Sequence, residues 1–121
     1  MKPIEQAIEE DYFPHLVDSF ARWSAGVLWP VMSADVSARV AEFEDGLTFK
    51  KGRNYIKIIS ERNGGNRSVH SFIVIKATKG FEVGDILKAA GWNAPATNFK
   101  RGNVFCPDNK FLGVTWTGAG G

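Results

Sequence analysis

Cations and flat aromatic rings alternate at several points along this chain, and that pairing is the chemistry its residues offer most plainly. The first run is Phe49-Lys50-Lys51-Gly52-Arg53-Asn54-Tyr55. Trp92 stands further on, followed by Phe99-Lys100-Arg101 and Lys110-Phe111. Single-stranded nucleic acid needs this combination, because ammonium and guanidinium groups neutralise phosphates while rings stack on bases. Lys50, Lys51, Arg53, Lys100 and Arg101 are therefore candidate phosphate contacts, and Tyr55, Trp92 and Phe99 are candidate stacking rings. The plainer alternative buries the rings in the core and leaves the lysines as an ordinary solvated face.

Other chemistries find less material. His15, His70 and Cys106 lie far apart in sequence and show no zinc-ligand spacing. Cys106 precedes Pro107 beside a turn, with Lys100 and Arg101 near in sequence. A reactive thiol needs an electropositive, accessible setting, and a plain strand cysteine is the simpler reading. Glu42, Glu44 and Asp45 crowd the end of one helix and read as a solvated surface, not as an acid–base pair. Lys51-Gly52 and Lys79-Gly80 lack the glycine framework of a phosphate-binding loop. The expectation is a protein that is not an enzyme, with no catalytic residues, no metal ligands and no cofactor.

Charge sharpens the nucleic-acid reading. Residues 1–46 carry nine acids and three bases, a balance of −6, whereas residues 47–121 carry twelve bases and four acids, a balance of +8. A split of this kind suits a basic face for a polyanion. It equally suits two halves that face each other, within one chain or across a dimer. The single cysteine excludes an internal disulfide framework and points to a reducing compartment. No apolar run approaches 18 residues, so no membrane-spanning helix is expected. Met1 to Glu10 has no apolar core of a secretory signal.

The elements that must position these residues form one domain over 1–121, with an acidic helical part (1–46) and a basic αβ part (47–121). Ile4, Ile8 and Tyr12 recur every four residues and predict a first helix over Lys2–Phe13. Pro14 suits the first turn of a second. Phe13, Leu16, Phe20, Trp23 and Val27 make that helix's apolar seam, and Pro30 ends it. Ser33 is a good N-cap for a third helix, which presents Val36, Val40 and Phe43 and stops at Gly46. The helical part either caps the sheet or pairs two copies as a homodimer seam.

The basic part begins with a hairpin. Tyr55–Ser60 and Ser68–Lys76 read as strands about the turn Glu61–Arg67. The second strand is apolar on both sides near its middle, so it is expected to be central. Asp85 and Gly91 bracket Ile86–Ala90 as cap and stop of a short helix. A second hairpin joins Asn103–Cys106 to Phe111–Trp116 about the turn Pro107–Lys110, and Thr117–Gly121 is expected to fray. The fold class is α+β, an N-terminal helical layer packed on an antiparallel sheet of two hairpins with one short helix between them.

The segments Gly46-Leu47-Thr48-Phe49, Asn54-Tyr55-Ile56-Lys57, Ser68 to Val74, Gly84-Asp85-Ile86-Leu87-Lys88-Ala89-Ala90-Gly91-Trp92, Ala94-Pro95-Ala96, Asn98-Phe99 to Val104 and Trp116-Thr117-Gly118 resemble small uncharacterised proteins of tailed bacteriophages. The resemblance covers residues 46–118. It implies a protein made in the cytoplasm of an infected bacterium, in phage DNA metabolism or in binding and redirecting a host protein. It carries no catalytic or binding residues. The residues and the resemblance together suggest a non-enzymatic phage protein that binds nucleic acid, single-stranded, through a basic, aromatic-lined face. The alternative is an interaction protein that binds and modulates a host or phage enzyme through its acidic helical part.

Overall fold

Pro14 has no N–H to donate, and its ring crowds the carbonyl one turn back. The chain meets it without breaking. In a computed structural model of the protein, α1 (Ile4–Ala7) widens into a π-helical turn (Ile8–Tyr12) and re-tightens as α2 (Phe13–Ala25). The structure describes residues 2–62, 65–105, 111 and 113–119. The two helices predicted about Pro14 are thus one continuous rod. Its buried row is Ile8, Tyr12, Leu16 and Phe20. The far end of the predicted seam does not join it, since Trp23 is 65% exposed and Val27 is fully exposed. The rod also stops earlier than Pro30, at Ala25, because Gly26 turns the chain with φ +61.

α3 (Ala34–Asp45) starts as expected, with the Val36 N–H donating to Ser33 Oγ at 3.2 Å. Val36 and Phe43 are buried and Val40 is half-buried. Gly46 ends the helix and packs directly on the end of the second strand. Its carbonyl accepts from the Glu61 N–H at 3.0 Å, and any Cβ there would overlap the Glu61 carbonyl oxygen. Leu47 belongs to the sheet and not to α3.

That sheet runs β1 (Leu47–Lys51), β2 (Tyr55–Arg62), β3 (Asn66–Val74), β4 (Ile86–Gly91) and β5 (Ala94–Pro95), neighbours in space as in sequence and all antiparallel. β3 is central. β6 (Val114–Thr115) and β7 (Gly118–Ala119) form a separate two-stranded ribbon. Side chains alternate across a strand, and the two faces have separate cores. Leu47, Ile56, Ile58, Ile73 and Ile86 pack with the helices and with Phe111, Val114 and Ala119. Phe72, Val74, Phe81 and Leu87 form a smaller cluster on the opposite face, joined by Tyr55 and Val69.

The segment Ile86–Ala90 is not a helix. Ile86 pairs with Ile73 and Leu87 with Phe72, and both are fully buried, one in each core. Adjacent apolar residues facing opposite ways are what a strand covered on both sides requires, and a helix this short barely repays its nucleation. Asp85 caps a turn instead. It is 2% exposed and accepts from the Glu82 N–H and from Asn103 Nδ2, each at 2.9 Å. Gly91 leads into the β4–β5 hairpin.

The predicted turn Pro107–Lys110 lies outside the described residues, as does Cys106. Asn103 instead forms an antiparallel bridge to Asp85. Val114–Thr115 turns back at Trp116-Thr117 to pair with Gly118–Ala119. Residues 117–119 therefore do not fray. Ala119 is 4% exposed and belongs to the main core.

Candidate nucleic-acid interface

The face of the sheet turned away from the helices gathers the first cation–aromatic run. Lys50 and Lys57 are cross-strand partners on it. The Gly52 N–H donates to the Tyr55 carbonyl at 2.8 Å, which tightens the β1–β2 turn and sets Arg53 and Lys51 at its tip. A cleft of about 330 Å³ opens there, lined by Lys50, Lys51, Arg53, Tyr55, Lys57, Phe72 and Asn93, among others. Among the described residues, no acidic side chain lines it. Tyr55 meets Phe72 edge-on, with centroids 6.1 Å apart and planes at 74°, so its ring is a half-buried wall.

Trp92 arrives from the other end of the sheet. The β4–β5 turn carries Trp92 and Asn93 back over β2. Lys57 Nζ donates to Asn93 Oδ1 at 2.7 Å and lies 4.6 Å from the Trp92 ring centroid. Arg67 Cζ is 5.7 Å from the same ring. Trp92 stays 45% exposed. Lys57 and Arg67 thus belong to this surface, although neither is among the candidate contacts named from the sequence. Strand alternation carries the missing signal, because Lys57 is polar among Ile56, Ile58 and Ile59 and must point away from the helical layer.

The second predicted trio separates from the first. Arg101 is only 7% exposed. Its Nη1 donates to the Phe99 carbonyl at 2.7 Å and to Asn98 Oδ1 at 3.0 Å, and its guanidinium carbon lies 4.0 Å from the Phe99 ring centroid. It organises its own loop and lines neither described cleft. Lys100 Nζ lies 3.7 Å from Asp85 Oδ1 and helps satisfy that buried carboxylate. Phe99 is half exposed beside them and lines neither described cleft.

Among the described residues, no ion pair joins the two charge halves. The ion pairs of the N-terminal acids stay inside the helical part, Lys2 with Glu10 and Asp11 and Arg22 with Asp18. Among the described residues, Lys50, Lys51 and Arg53 pair with no carboxylate.

The other group with chemical interest is sealed in the helix-facing core. A bulge sets Ile58 opposite Ser71 and Ile59 opposite Val69, leaving His70 as the extra residue. His70 and Ser71, expected on opposite sides, therefore both reach Tyr12. Ser71 Oγ lies 2.6 Å from Tyr12 Oη and 2.8 Å from His70 Nδ1. His70 Nε2 lies 2.7 Å from the Thr115 carbonyl, which can only accept. Nε2 therefore carries the proton, and the chain runs Tyr12 O–H to Ser71 O–H to His70 Nδ1. Burial pushes the His70 pKa down to about 4 and the Tyr12 phenol well up, the latter partly opposed by the Ser71 hydrogen bond. A hydroxyl beside an imidazole resembles an activated nucleophile, but Ser71 and Tyr12 are wholly buried. This chain ties α1–α2 to β3 and the ribbon. His15 Nε2 is likewise taken by the Val114 carbonyl at 2.8 Å.

These features define an α+β protein with a helical layer on one side of an antiparallel sheet and a basic, ring-bearing cleft on the other. The chain belongs to a family of unknown function, DUF7717, whose model matches residues 7–120. No curated protein and no solved structure matches it. Among the described residues, no helix is long and apolar enough to cross a membrane.

Proposed function

We propose that the protein binds single-stranded nucleic acid, without catalysis, on the sheet face opposite its helices. The observation that supports this is the convergence of Lys50, Lys51, Arg53 and Lys57 on one cleft, walled by Tyr55 and next to the exposed Trp92. Cations there follow the backbone, Trp92 stacks on a base, and Asn93 and Asn54 have amides for base edges. The resemblance to tailed-phage proteins puts the setting, as part of this proposal, in an infected bacterial cytoplasm. Fluorescence anisotropy with a labelled oligonucleotide tests it. Affinity falls steeply with salt, the log–log slope being about −0.7 for each single-strand phosphate contacted. Absence of binding at low salt ends the proposal.

One observation supports a second reading, docking to and modulating a host or phage enzyme through the acidic helical part. Val27, Leu28 and Val31 are exposed with Trp23 at the α2–α3 connection, an apolar tip on an acidic lobe. A stoichiometric enzyme partner that survives nuclease treatment, and is lost on Leu28→Ser, favours it. Retention of that partner by Leu28→Ser counts against it.

A further inference from the structure

The helix-facing side of the sheet is apolar along most of its length, yet it ends in polar residues. Ser60 and Ser68 are cross-strand partners, and Arg62 pairs with Asn66 one step further along. Leu47, opposite Ser60 on β1, belongs to the main core, so Ser60 points the same way. A cleft of about 220 Å³ opens at this end, lined by Ser60, Arg62, Ser68, His70, Trp116 and Thr117. It lies on the opposite face from the basic groove and shares no lining residue with it.

Arg62 is held there by rings and not by a carboxylate. Its guanidinium carbon lies 5.3 Å from the Trp116 centroid and 5.4 Å from that of Phe20. A guanidinium held over two rings, with no hydrogen-bond acceptor among the described residues, has N–H donors left for other acceptors. Among the described residues, no carboxylate pairs with it. Ser60 is 7% exposed, and its hydroxyl has no hydrogen-bond partner among the described side chains. The Thr117 hydroxyl, bonded to Thr115 Oγ1 at 2.8 Å, forms part of the third wall. An accessible, unpartnered hydroxyl on a largely buried serine and a semi-buried cation with unused donors, in a cleft lined by no acid among the described residues, make an arrangement complementary to an oxyanion.

We propose that this cleft binds the phosphate group of a small phosphorylated molecule. Arg62 supplies the charge, and Ser60 and Ser68 supply hydroxyl donors. The donors come from two strands and the ribbon turn, which suits a tetrahedral anion better than a planar carboxylate. The volume lies below the roughly 300 Å³ at which drug-sized sites begin, so the organic remainder is small and rests against Trp116.

The test is a two-dimensional amide NMR titration of the intact chain with inorganic phosphate, and with acetate at matched ionic strength. Saturable shifts at the Ser60, Ser68 and Thr117 amides are expected with phosphate, with acetate at least fivefold weaker. Arg62→Gln should weaken phosphate at least tenfold, while Lys50→Ala with Lys57→Ala leaves it unchanged. If Arg62→Gln does not fold, Ser60→Ala, which removes one oxygen, should weaken binding several-fold. Non-saturating shifts, equal affinity for acetate, no response to Arg62→Gln or Ser60→Ala, or loss in the lysine variant would each overturn the proposal. The nucleic-acid reading stands or falls separately, on oligonucleotide binding at the other face.

Discussion

The two faces of one sheet have opposite fates, and β2 serves both. Ile56 and Ile58 go to the helices and are completely buried, while Lys57, between them, goes to the groove with Lys50 and Trp92. The covered face holds a satisfied hydrogen-bonded chain and stacked rings. The open face holds cations that, among the described residues, pair with no carboxylate. A core side chain on the first contributes to stability and a cation or exposed ring of the groove on the second to binding, and each substitution below tests that division.

The largest effect is expected at Phe43. Its ring stacks on Phe20 with centroids 4.7 Å apart and is 1% exposed. Phe43→Ala should cost about 3–5 kcal/mol in urea unfolding. Lys50→Ala with Lys57→Ala should stay within roughly 0.5 kcal/mol. Equal losses would erase the contrast between the faces.

Acid should attack the covered face next. The His70 pKa is depressed in the folded chain to about 4, against an ordinary value of 6.5. Between these values the unfolded chain binds the proton that the folded chain refuses. The stability is therefore fully present above pH 6.5 and drains away as pH falls toward 4. The loss is roughly 3 kcal/mol, at about 1.4 kcal/mol per pH unit. Unfolding curves between pH 7 and 4 measure it, and His70→Gln should flatten the dependence.

On the open face, Trp92→Ala should reduce oligonucleotide affinity by about 5- to 150-fold, the range for losing one stacked base. Trp92→Phe should recover most of it. Removing Lys50 and Lys57 together should make the log–log salt slope shallower by about 1.4, two phosphate contacts' worth. The smallest effect belongs to Lys100→Gln. Its ammonium already faces Asp85, so affinity should change by less than about twofold, with only a small loss of stability.

Local signals read well where one element decides the outcome alone. The Ser33 cap, the Tyr55 to Val74 hairpin, the central position of β3 and the basic run at 50–55 were all legible. Ile86–Ala90 misled because a capping aspartate and a stopping glycine are equally turn residues. Only the partners Phe72 and Ile73 turn Leu87 and Ile86 into a strand. The site divided for the same reason. Nothing in Phe99-Lys100-Arg101 announces that Arg101 folds back on Phe99, or that Asp85, fifteen residues earlier, claims Lys100.

Composition, charge segregation and residue period are properties of the chain, so they alone settled that an acidic helical part precedes a basic, strand-rich part. Which cations stand together is a question of distance between residues remote in sequence. Lys57 meets Trp92 and Asn93 only because β4 and β5 fold the hairpin turn over β2. His70 and Ser71 share one side only because a bulge adds a residue to β3. Pairing register and burial decided these contacts, and both depend on the whole sheet being assembled.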